Sequence, residues 1–138
     1  MGNIISNTDT GIFGTADKYD FFDRPALPVA SISDTQKGDA KMLCTVIEST
    51  EEYDIVIEKI LHMSPDSTKG MVIHITDPKL LSLTGGIIQG MSGSPLIQNG
   101  KLVGAVTHVF VNALTREYGI FIENMLNAAQ SQEQPKAA

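Results

Sequence analysis

The chain has 138 residues, a formal net charge of −6 and 42% apolar residues. That is enough for one domain with its own hydrophobic core, which excludes a disordered chain and one that depends on metal or disulfide staples. The acidic balance argues against nucleic acid as a partner, which requires a basic face, and no window approaches the ~20 apolar residues of a membrane helix.

Residues 1–28 are rich in Gly, Asp, Asn, Thr and Pro, with GIFG and FFD islands. They predict loops and short extended pieces. The N-terminus lacks the basic and apolar regions of a signal peptide. MGNIIS formally fits the Met-Gly-x-x-x-Ser myristoylation pattern, with nothing else to support it. Leu27–Ile32 (LPVASI) predicts a short strand, and Ala40–Glu48 (AKMLCTVIE) a longer one. The single cysteine, Cys44, falls on the latter and reads as a small apolar core residue. In EEYDIVIEKILHM, Tyr53, Ile55 and Ile57 alternate with Asp54, Val56 and Glu58, and β-branched residues dominate, so a strand is expected. Gly70–Thr76 (GMVIHIT) predicts another. Asp77-Pro78 reads as a helix N-cap followed by proline at the first helical position.

Asn99-Gly100, between Pro95–Gln98 and Lys101–Val111, is a strong hairpin signal. Tyr118–Ala129 closes the fold, its later part as a helix, and residues 130–138 read as a disordered tail. The sum is one mostly β domain over residues 1–129, a barrel or sandwich with a C-terminal helix.

The chemistry concentrates in Gly90-Met91-Ser92-Gly93-Ser94-Pro95. Serine becomes a nucleophile only when a base takes its proton. The oxyanion formed by its attack needs backbone N–H groups aimed at one point. Glycine supplies the backbone angles such a turn requires. Gly90 and Ser92 are the candidate N–H donors, and Gly93 allows close passage of the chain. Continued through the hairpin, this pattern is similar to the nucleophile region of chymotrypsin-like serine proteases. That likeness implies that the strand bearing Val106, Thr107 and His108 pairs with substrate backbone, with Gly104 serving close packing. The alternative is a glycine turn in a barrel without catalysis.

Of the histidines, His74 alternates with Val72 and Thr76 and reads as structural, and His62 as exposed. His108 reads as a hydrogen-bonded, half-buried strand residue, with substitute base as the rarer role. Their spacing resembles no zinc site and HExxH is missing, so neither metal nor cofactor is expected. Asp77 is equally a helix cap and a candidate triad member. No charged residue marks the floor of a specificity pocket, so the cleavage sequence is not legible.

Residues 70–78 (GMVIHITDP), LLSLTGGIIQGMSGSPLIQNGKLVGAVTHVFVN and YGIFIENML together resemble the SpoIVB peptidases, the stage IV sporulation protein B family of endospore-forming bacteria. GNIISNTDTGIFG and LPVAS extend the likeness from Gly2 to about Ala129. The resemblance implies a chymotrypsin-like barrel and a His/Asp/Ser endopeptidase without cofactor. It implies a protein substrate and a location between mother cell and forespore, secreted or membrane-associated. There such an enzyme relays a signal to a late sporulation sigma factor, usually with a PDZ module upstream. The family's serine falls on Ser92 and its aspartate on Asp77, fifteen residues earlier. The family's histidine lies in a Gly-His-Gly-Ile motif that has no counterpart here. The chain therefore reads as the later part of the peptidase domain, its barrel incomplete and its activity poor without a supplied base. The rival expectation is a peptide-binding barrel that has lost catalysis.

Overall fold

The computed structural model describes residues 2–17, 24–110 and 112–133. The FFD island and the last residues of the tail lie outside them. Eight strands and two helices follow in order: β1 (Gly2–Thr8), β2 (Gly11–Ala16), β3 (Gly38–Val46), β4 (Ser49–Ile60), β5 (Met71–Ile75), α1 (Pro78–Thr84), β6 (Pro95–Gln98), β7 (Lys101–Val109), β8 (Arg116–Phe121) and α2 (Ile122–Glu133).

Six of these strands form a closed barrel in the order β3-β4-β5-β8-β7-β6, every neighbouring pair antiparallel. Alternation in the sequence explains the inward faces. On β3, Ala40, Met42, Cys44 and Val46 are buried, and on β4, Tyr53, Ile55 and Ile57. The residues between them look outward, as the two-residue period of a strand demands. Met71, Ile73 and Ile75 of β5 and Leu96 of β6 complete the filling. Burying each such side chain contributes roughly 1.5–3 kcal/mol. The barrel, expected to be incomplete, closes within this chain: β6 returns to β3 through Lys41 opposite Ile97 and Met42 opposite Leu96.

The predicted hairpin is present, with Asn99 and Gly100 both at positive φ (52° and 74°), as a tight two-residue turn requires. Gly104 is needed for close approach, because a Cβ there would collide with the Ile120 carbonyl across the β7–β8 pair.

Three expectations change. Residues 2–16, read as loops and short pieces, form an antiparallel hairpin outside the barrel, bulged between Ile4 and Ser6. Leu27–Ile32 supplies only a single parallel bridge, Val29 to Leu102, before a one-turn 3-10 helix at Ile32–Asp34. The start of the tail is ordered, since α2 runs on to Glu133. No helix among the described residues is long and apolar enough to cross a membrane.

Candidate active site

The site is built on the connection between α1 and β6. Asp77 starts it: its carboxylate accepts from the N–H groups of Lys79 (2.9 Å) and Leu80 (3.3 Å), capping α1, with Pro78 at the first helical position. The other carboxylate oxygen accepts from the Asp54 N–H on β4 at 2.9 Å. That last bond, foremost, holds the Asp77 carboxyl below the ordinary carboxylate range, assisted by the two capping bonds and opposed by partial burial. Helix α1 ends at Gly85 in the left-handed conformation, and Ile87 ties the following loop to the barrel by donating its N–H to the Leu114 carbonyl at 2.6 Å.

Ser92 sits at the tip of this loop, exposed, its Oγ donating to the Thr107 carbonyl on β7 at 3.2 Å. The glycines on either side of the Met91–Ser92 pair, Gly90 and Gly93, have φ of 103° and 89°, a region that side chains other than glycine rarely adopt. The N–H groups of the turn fall into two sets. Met91 donates to Ile88, Gly93 to Val106 and Ser94 to Met91. Those of Gly90 and Ser92 have no acceptor among the described residues. The two amides expected to serve an oxyanion are among those without partners, as are those of Ile88 and Gln89 earlier in the loop. Gly93 N–H to Val106 O at 2.8 Å and Val106 N–H to Ser94 O at 3.0 Å pin the loop's far side to β7.

Ser92 opens onto a groove. Thr107 and His108 of β7 line it with Ser92, and the β1–β2 turn at Asp9–Gly11 and Met125 of α2 face them. Thr107 is anchored through its Oγ1, which donates to the Thr68 carbonyl (2.6 Å) and the Tyr118 carbonyl (3.2 Å). His108 is exposed, with Nε2 3.2 Å from Thr68 Oγ1, and that hydroxyl donates to Asp66 Oδ1 at 2.5 Å. Its side chain is half of a threonine–aspartate hydrogen-bond chain, and no bond joins it to Ser92. His74 Nδ1 lies 3.3 Å from Glu58 Oε1 on the outer face of the barrel, beside the Arg116–Glu58 pair, and His62 is exposed. Cys44 is buried and free, as expected.

The structure thus brings Ser92, Gly90, Thr107 and His108 together and leaves Asp77 apart. Ser92 is bonded to Thr107 of β7, and Thr107 in turn to Thr68, which stands just before β5, whereas Asp77 lies just beyond the other end of β5. The five residues of β5 alone span roughly 16 Å. One carboxylate escaped the sequence reading. Glu117 of β8 is 0% exposed, and neither of its carboxylate oxygens has a hydrogen-bond partner among the described residues. Burial pushes its carboxyl up to about 7. In the sequence it stands in TREYG, just before the closing Tyr118–Ala129 segment, and only its alternation with Gly119 and Phe121 hints that it points inward.

Residues 1–126 match the model of the family described as SpoIVB peptidase S55. No curated protein matches the chain. Among solved structures, the chain is similar to the Rv3671c protease from M. tuberculosis in its active form, with a TM-score of 0.65, 14% identity, and coverage of 99% of this chain and 60% of that one. The inactive form of the same protease gives a TM-score of 0.63 at 14% identity, covering 96% of this chain and 67% of that one. An inactive serine-to-alanine mutant of Rv3671c from M. tuberculosis H37Rv gives 0.65 at 16% identity, covering 99% and 67%. These likenesses establish the fold as that of a protease barrel, and the chain spans about two thirds or less of the length of each neighbour.

Proposed function

Because this chain belongs to the SpoIVB peptidase S55 family, we propose that it is the serine-bearing barrel of a serine endopeptidase, with Ser92 as its nucleophile. Ser92 Oγ attacks the scissile carbonyl of a polypeptide, and the N–H groups of Gly90 and Ser92 stabilise the oxyanion. The strand at Thr107 and His108 pairs with the substrate backbone in the groove. The observation that carries this reading is the exposed hydroxyl of Ser92, whose own amide and that of Gly90 have no acceptor among the described residues, in a turn where Met91, Gly93 and Ser94 are bonded.

The carbonyl that Ser92 now meets cannot take its proton, so the reaction requires a base. None of His62, His74 and His108 is bonded to Ser92. In this proposal the base is a histidine supplied from outside residues 1–138, as the family's Gly-His-Gly-Ile motif implies. Asp77 serves as a positioning residue: it caps α1, and α1 delivers the chain through Gly85 into the serine loop. Following the family, the substrate is a partner protein in the space between mother cell and forespore, and its cleavage relays activation of a late sporulation sigma factor. The unbonded histidines favour one rival, a barrel that binds peptides in the same groove without cleaving them.

A fluorophosphonate probe applied to the intact protein decides between them. Labelling that maps to Ser92 and disappears in Ser92→Ala is the expected result. Absence of labelling, with peptide still bound in the groove, leaves the non-catalytic reading.

A further inference from the structure

A carboxylate held out of water without a single donor is costly, and native structures rarely keep one without a use. Glu117 is such a group. Its place in the barrel indicates its use. In the β-ladder it lies opposite Ile73 of β5 on one side and Val109 of β7 on the other. Residues directly opposite each other in an antiparallel pair share a face. Ile73 belongs to the core, whereas Val109 is 43% exposed. Glu117 therefore faces the barrel interior, one ladder step from the exposed end of β7, the strand that lines the Ser92 groove. From Thr107, whose carbonyl holds the Ser92 hydroxyl, it is two residues along β7 and one strand across, about 7 Å and about 5 Å. Tyr118, the next residue, accepts directly from Thr107 Oγ1.

We propose that Glu117 determines specificity, its carboxylate receiving the cationic side chain of a lysine or arginine just before the scissile bond. This rests on the assignment of Ser92 as the nucleophile. No cation of the protein itself fills the role among the described residues. Arg116, adjacent in sequence, points to the opposite face and is held there by Glu58, with Nε to Oε2 at 2.9 Å and Nη2 to Oε1 at 3.1 Å. The protein's net charge of −6 adds a general attraction for basic substrates. Glu117 is 0% exposed, so the incoming side chain must displace part of the surrounding wall to reach it.

The test is a fluorescence titration of the intact protein with p-aminobenzamidine, an aromatic amidinium, in parallel with fluorophosphonate labelling. Saturable binding by wild type and by Ser92→Ala, weakened at least tenfold in Glu117→Gln, is the expected result, with neutral benzamide binding to none. Thermal melting of Glu117→Gln verifies that the isosteric variant is folded. Equal amidine binding by wild type and Glu117→Gln, or none by wild type, overturns the proposal even when Ser92 labels. Failure of labelling alone removes the nucleophile assignment, while amidine binding that depends on Glu117 still upholds the cation site.

Discussion

Asp77 and Glu117 are carboxylates of one barrel placed in opposite circumstances. Asp77 is met by three backbone N–H groups and stays ionised below the usual range. Glu117 is met by none and is pushed up to about 7 by burial. The contrast shows what a carboxylate's surroundings do to its role. Where donors are supplied, the charge becomes part of the scaffold and organises α1. Where they are withheld, the group keeps an open demand for a cation, and the fold bears the strain of that demand.

The largest expected effect breaks the contrast from the Glu117 side. Its folded carboxyl titrates at about 7 against 4.5 ordinarily, so between those pH values the folded protein holds a proton that the unfolded chain has lost. Stability is then fully present below pH ~4.5 and falls as pH rises toward ~7, reaching a deficit of about 3 kcal/mol above that. Asp77 and the other carboxylates of lowered pKa act with the opposite sign, so the comparison must be made between variants. Glu117→Gln is expected to be more stable than wild type by about 3 kcal/mol at pH 8 and nearly equal to it at pH 4.5. Urea midpoints at the two pH values check this. A constant difference across that range would mean that Glu117 finds donors or water in solution.

The barrel was largely legible because its strands obey local rules. The buried alternation of Ala40, Met42, Cys44 and Val46 is a period of two visible in the sequence, and Asn99-Gly100 and Asp77-Pro78 carry their geometry in their own residue types. Ser92 with its glycine neighbours was legible for the same reason. The β1–β2 hairpin was not, because Ile4, Ile5 and Ile12 are exposed and leave no in–out pattern to read. Nor was Glu117: its ladder neighbours are Ile73 and Val109, forty-four and eight residues before it, and no local signal in TREYG reports them. The separation of Asp77 from Ser92 was hidden too, since fifteen residues of sequence say nothing about which end of β5 each adjoins.

From the Asp77 side the effects are smaller. Asp77→Ala removes the α1 cap and the acceptor of the Asp54 N–H, and is expected to cost about 1 kcal/mol in denaturant unfolding. It should also slow fluorophosphonate labelling of Ser92, because the loop then hangs from a frayed helix.

Asp77→Asn sharpens the contrast furthest with the smallest change. Asparagine caps a helix about as well as aspartate and gives up only the acceptor of the Asp54 N–H, so the variant is expected to melt no more than several degrees below wild type. A positioning role needs the cap and not the charge, and labelling should therefore stay within severalfold of wild type. A catalytic partner of the histidine needs the charge, and losing it costs on the order of 10²–10⁴ in rate. Labelling that collapses by that factor while the melting temperature holds would place the Asp77 charge in the chemistry. That outcome would require the end of β5 that bears Asp77 to approach Ser92 in the active enzyme.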